Sequence, residues 1–82
     1  MMWNLKVQLG ELIMQLNKDY VVEKYTAIGL SQNELALMAG VSKGTLSRAL
    51  NGKRGAGRKL LGGLLRVLPQ ATYELLIIEN KN

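Results

Sequence analysis

The stretch LSQNELALMAGVSKGTLSRALNGK, residues 30–53, decides the fold. Ser31-Gln32-Asn33-Glu34 has the form of a capping box, in which the Ser31 hydroxyl accepts from the Glu34 amide while the Glu34 carboxylate reaches back. Leu35, Ala36 and Met38 give the helix that follows an apolar side, and Gly40 can take the left-handed conformation of a tight turn. Ser42 is placed to cap a second helix, on which Leu46 and Leu50 are four apart with Ala49 between them. Asn51-Gly52 stops it. Two short helices, 32–39 and 43–51, joined by a turn containing glycine, describe a helix-turn-helix. Ala36 is small, so the second helix can cross it closely, and Leu35, Val41 and Leu46 form the apolar contact that fixes the crossing angle.

Helical signals continue on both sides. Upstream, Leu5, Leu9, Leu12, Ile13, Leu16 and Tyr20 form one helical stripe, and Val21, Val22, Tyr25 and Ile28 extend it after Asn17-Lys18-Asp19. The pattern suits one long helix to about residue 27 or two shorter ones, with Gly29 as the terminator. Downstream, a basic glycine-rich loop (52–57) leads into Leu60, Leu61, Leu64, Leu65 and Leu68, an amphipathic stripe interrupted by Gly62-Gly63. Each glycine costs a helix about 1 kcal/mol relative to Ala, which points to local weakness or to another backbone packing close. Pro69 can start a last helix, although YELLIIEN alternates well enough for a strand. The expectation is an all-α, compact bundle of about five helices forming a single domain over 1–82. The helix-turn-helix occupies about 31–52, and segments 1–28 and 69–82 are the candidates for dimerisation.

Composition narrows the function. The chain has 82 residues, no Cys and no His, which removes thiolate zinc sites and the commonest general base and metal ligand. An enzyme would have to work with six carboxylates, so neither catalysis nor a metal or cofactor is expected. LLGGLLRVL is broken by Arg66 and LLII is too short to span a bilayer, so no membrane association is expected. The N-terminus reads as structure and not as a signal peptide, which makes the cytoplasm, with the nucleoid, the expected location.

The net charge is +5, and its distribution is more informative than its size. Seven of the eleven cations, Lys43, Arg48, Lys53, Arg54, Arg58, Lys59 and Arg66, fall in a window that contains none of the six acids. A solvated face usually mixes both signs to gain from local pairs. A one-signed window favours an anionic partner, nucleic acid before membrane. A P-loop is excluded, because Gly52-x-x-x-x-Gly57-Arg58-Lys59 lacks the Ser/Thr for magnesium and follows a helix.

On residues 30–53 the sequence resembles the Cro/CI-type (XRE-like) helix-turn-helix repressors of phages, plasmids and bacteria. The Ser31-Gln32 start, the Leu35-Ala36 pair, Gly40, Val41, Ser42, Leu46 and the closing Asn51-Gly52-Lys53 carry the match. Ala49 and Leu50 depart from it, since the family often has a bulky apolar residue and an acid there. SRALNG is also similar to LacI-type headpieces, but the 30 residues before the motif suit the Cro/CI type better.

The resemblance implies a repressor that binds a double-stranded DNA operator as a homodimer, with the second helix in the major groove. Carried over by position, Lys43, Gly44, Thr45, Ser47 and Arg48 face the bases, and Arg48 can pair with guanine through two hydrogen bonds. Gln32, Ser42, Asn51, Lys53, Arg54, Arg58 and Lys59 fall to the phosphates, where they fix register without reading sequence. Arg58 and Lys59 stand near a helix start, where the dipole disfavours cations but a phosphate would welcome them. The rival expectation is the same fold working mainly through a protein partner, a toxin or a phage or host factor, with DNA binding autoregulatory.

Overall fold

Asn17 divides the N-terminal stripe in two in the computed structural model, which describes residues 15–78. Before it, Gln15–Leu16 is extended (β1); after it runs a helix over Lys18–Ala27 (α1). The Asn17 side chain caps this helix by accepting from the Tyr20 amide at 3.2 Å. A continuous helix through residue 27 therefore does not form, because Asn17 satisfies orphan amides that a helix passing through it would not leave. Leu5, Leu9, Leu12 and Ile13 lie outside the described residues.

The remaining helices are α2 (Gln32–Ala39), α3 (Lys43–Leu50), α4 (Arg58–Val67) and α5 (Tyr73–Leu76), followed by the extended pair Ile77–Ile78 (β2). YELLII is thus both things its pattern allowed: one helical turn capped by Thr72, then a strand. Pro69 does not begin that helix. It precedes Gln70, which takes a positive φ of 64°, and the two form the turn out of α4. β2 pairs antiparallel with β1, Gln15 opposite Ile78 and Leu16 opposite Ile77. Asn17 adds a backbone bond to the Leu76 carbonyl at 2.7 Å and a side-chain bond to the Leu75 carbonyl at 3.3 Å. One residue therefore caps α1 and ties the two ends of the described chain together.

Leu16, Val21, Tyr25, Leu35, Ala36, Ala39, Leu46, Ala49, Leu50, Leu60, Leu61, Leu64, Leu68 and Leu76 make one core. Three apolar residues assigned to it by spacing do not join. Ile28, Met38 and Leu65 are 43 %, 51 % and 39 % exposed. Ile28 falls past the end of α1, and on α2 the buried place expected for Met38 goes to Ala39. That exchange follows from Gly63. A Cβ on Gly63 would lie 2.8 Å from the Ala39 Cβ and closer still to the Ala39 carbonyl oxygen, so α2 and α4 touch backbone to backbone. Close approach, and not a weak helix, explains this glycine. Gly62, one residue earlier, faces open space.

The two glycines should therefore answer the same substitution with opposite signs. Gly62→Ala should raise stability by up to about 1 kcal/mol, the propensity difference at an exposed helix position. Gly63→Ala should lower it by about 1–3 kcal/mol, because backbone must shift to admit the methyl. Urea unfolding of both variants checks this, and equal shifts would contradict the backbone contact.

Arg66, in the last turn of α4, donates from Nη2 to the Met38 carbonyl at 3.1 Å. It satisfies a carbonyl that the C-terminus of α2 leaves without an intrahelical partner, and its charge suits that end of the dipole. One of the seven cations in the acid-free window thus has a structural task.

Candidate nucleic-acid interface

The local geometry of the helix-turn-helix follows the sequence closely. Ser31 and Glu34 form the complete capping box, with Glu34 N–H donating to Ser31 Oγ at 3.1 Å and Ser31 N–H to Glu34 Oε1 at 2.8 Å. Gly40 ends α2 in the left-handed region (φ 80°), where a side chain would be strained. The chain then turns through Val41, half-buried against the core, into the Ser42 cap. Ser42 Oγ accepts from the Thr45 amide at 3.0 Å and donates to Thr45 Oγ1 at 2.9 Å. Both partners of the turn are anchored, because Leu35 and Leu46 are completely buried.

Burial fixes the orientation of α3. Leu46, Ala49 and Leu50 point inward, so Gly44 and Arg48, one turn apart, lie on the opposite face with Asn51 just past the helix end. Lys43 and Arg48 are exposed, and Thr45 and Ser47 flank that face half-buried. Asn51 follows as the C-cap and donates to Ser47 Oγ at 3.4 Å. The Arg48 guanidinium lies back over Gly44: a Cβ built there would be 3.1 Å from Nη1. Gly44 and Arg48 are thus brought onto one outward surface. Lys43 is exposed in the first turn, seven residues before Leu50 and so on that residue's side of the helix, and the Thr45 hydroxyl turns toward the Ser42 cap.

The residues expected at phosphates fall into three places. A shallow cleft between the helix-turn-helix and the start of α4 is lined by Ser42, Thr45, Arg54, Gly57 and Lys59, together with Gly40, Val41 and Leu60. Gly57 caps α4 without any side-chain hydrogen bond, and the first amide to find an intrahelical acceptor is that of Leu61. The Arg58, Lys59 and Leu60 amides therefore point out of the helix start, as an anion requires. Ser42, Arg54 and Lys59 meet at this cleft; Asn51, Lys53 and Arg58 stand exposed outside it. Gln32 is separate, half-buried in the first turn of α2. Loop 51–57 is held by Gly52 N–H to the Ala49 carbonyl at 3.2 Å and Lys53 N–H to the Arg48 carbonyl at 2.8 Å, with Ala56 buried beneath it.

Two features of the site escaped the sequence reading. The convergence of residues 42, 45, 54, 57 and 59 depends on how α4 crosses the turn, which no local spacing encodes. The Arg48–Gly44 contact did carry a signal, the four-residue separation, but glycine gives a pair rule nothing to act on. Among the described residues no group of acids could hold a metal ion, and no helix is long and apolar enough to cross a membrane.

A capped helix, a left-handed glycine turn and a second helix with a cationic outward face define a helix-turn-helix domain of the nucleic-acid-binding class. Comparison with known proteins agrees. The family model described as helix-turn-helix matches residues 23–75, from within α1 to α5. The chain belongs to this family, in its Cro/CI-type (XRE-like) form. It is 44% identical over 52 residues to the uncharacterized HTH-type transcriptional regulator YvzC of Bacillus subtilis (strain 168), an alignment covering 63% of this chain and 68% of that protein. No solved structure matches the chain.

Proposed function

We propose that the protein is a DNA-binding transcriptional regulator, specifically a repressor that binds a pseudo-palindromic operator as a homodimer. The observation that carries this reading is the α3 surface. Its outward face holds Arg48, Lys43 stands exposed at its first turn, and no acid falls anywhere from Lys43 to Arg66, beside a cleft where helix-start amides and cations converge. Membership of the helix-turn-helix family and similarity to a protein named as a transcriptional regulator support it. In the complex α3 lies in the major groove, Lys43, Gly44 and Arg48 meet base edges, and Thr45 and Ser47 sit at the margin. Gln32, Ser42, Asn51, Lys53, Arg54, Arg58 and Lys59 hold phosphates, and the Gly57 cap adds its free amides. Occupying a promoter in this way blocks transcription.

Dimerisation draws on the ends of the chain. Leu75 and Ile78 expose apolar surface near β2, and the sequence before β1 carries the Leu5, Leu9, Leu12 and Ile13 stripe. A two-fold pair presents two α3 helices about one DNA turn apart, 34–36 Å. Selecting bound sites from a random duplex pool tests the reading. Two inverted half-sites with centres about 10–10.5 base pairs apart, or a multiple, are expected. No enriched site, or one without symmetry, would count against it. Within that site, Arg48→Ala should relax preference at one base position by about 1–3 kcal/mol, while Lys53→Ala should weaken all sequences alike. If Lys53→Ala changed specificity and Arg48→Ala did not, the orientation of α3 would be wrong.

A second reading is favoured by one observation: Leu37 is 79 % exposed beside Met38 on α2, an apolar surface that phosphate contact does not use. Under it the protein acts mainly through a protein partner, such as a toxin or a phage or host factor, and DNA binding is autoregulatory.

A further inference from the structure

We propose that Gly44 is a specificity-determining residue that acts through Arg48, by keeping open the shelf on which the guanidinium lies. The inference rests on the reading of α3 as the helix that enters the groove.

The three nearest atoms to a Cβ built on Gly44 all belong to one group: Arg48 Nη1 at 3.1 Å, and Cζ and Nη2 at 3.7 Å. Gly63, by contrast, is confined by backbone, and Gly57 and Gly62 by nothing. The guanidinium is exposed and has no hydrogen bond or ion pair with any described residue. What positions it is contact with the bare helix surface one turn back. Helical side chains lean toward the N-terminus, and residues four apart are neighbours, so Arg48 runs along the helix and delivers its head at the level of residue 44. That end of a recognition helix reaches the base edges, and Lys43 adjoins it. Glycine within a helix is unfavourable, and no other contact at this site requires it. Its benefit is a flat surface that seats a planar cation, so Arg48 approaches DNA with fewer conformations to lose.

A methyl at position 44 fills the shelf. At 3.1 Å the guanidinium must give by a few tenths of an ångström, and as the free end of a flexible, exposed side chain it does so by lifting off the helix surface that seats it, which loosens the aim of its donors. The alternative, that Gly44 lets DNA itself come close, predicts a loss that does not involve Arg48 at all.

The test has two arms. In the free protein, the 15N{1H} NOE at Arg48 Nε should show an ordered side chain that becomes more mobile in Gly44→Ala but not in Gly62→Ala. Equal values in all three proteins would overturn the shelf. On DNA, the probes are the duplex selected from the random pool and its single-base variants, read by anisotropy. Arg48→Ala should lose about 5- to 150-fold of discrimination at its base, and Gly44→Ala about 5-fold or more at the same base. In the Arg48→Ala background, Gly44→Ala should then change discrimination by less than about 2-fold. If its effect persisted undiminished there, Gly44 would act on DNA directly and the proposal would fail while the regulator reading stood. If the unsubstituted protein bound no duplex, that reading would fail, and the NOE arm would still report on the shelf.

Discussion

Leu46→Ala is expected to destabilise the protein by about 2–5 kcal/mol, the usual loss for a leucine removed from a closed core. Leu46 is completely buried, on the helix whose opposite face carries the exposed Arg48. α3 has eight residues, it packs against α2 and β1, and the same core takes in its Ala49 and Leu50. The cavity left behind cannot close easily, because Ala36, Ala39 and Ala49 in the same core are already small and Gly63 has brought the α2 and α4 backbones into contact. A chain of this size has on the order of 5–15 kcal/mol of total stability, with small domains at the low end. The variant should therefore show a much lower urea midpoint, with DNA binding lost in proportion to the unfolded fraction. An unfolding free energy within about 0.5 kcal/mol of that of the unsubstituted protein would mean that α3 is not seated on Leu46.

The parts of the fold legible in the sequence are those set by contacts within a few residues. Ser31 with Glu34, Gly40 and Ser42 each act over four residues or fewer, and the structure puts them where their chemistry predicts. Asn17 belongs to the same class, yet its role was hidden by the apolar stripe on both sides of it. Ladder and cap compete there, and the cap wins because Ile77 and Ile78 offer Gln15 and Leu16 a strand partner some sixty residues away in sequence. The same long-range pairing settles YELLII, whose own periodicity supports either state. Met38 and Leu65 were placed inside by spacing alone. The α2–α4 approach at Gly63 seats Ala39 in place of Met38, and no pattern within either helix reports how near its neighbour lies.

For the candidate site, residue types and the acid-free window were visible at once, because charge can be counted without a fold. The grouping was not. Arg54 and Lys59 reach the Ser42 cap only after α4 crosses the turn, and Arg66 leaves the cationic set to close α2. What the structure adds is therefore a division among cations of the same sequence window. Arg48 lies on the outward surface of α3, Arg54 and Lys59 lie at a cleft with free amides, and Arg66 holds the scaffold.

The other large effect expected is on DNA affinity. On the proposed reading Lys53, Arg54, Arg58 and Lys59 would supply four cations per protomer to the phosphates, eight in a homodimer. Each neutralised phosphate releases condensed counterions, giving a slope of about −0.9 per contact in log K against log salt. Eight contacts give a slope near −7, and affinity should fall by about 10⁴-fold between 50 and 200 mM salt. A single protomer with four would lose only about 10²-fold. The most direct measurement is anisotropy of the purified protein on promoter-length duplex from its own locus, repeated across that salt range. A loss of about 10³–10⁵-fold is the predicted result. Binding that ignores salt, or no binding at the lowest salt, would contradict an α3 surface built to hold DNA.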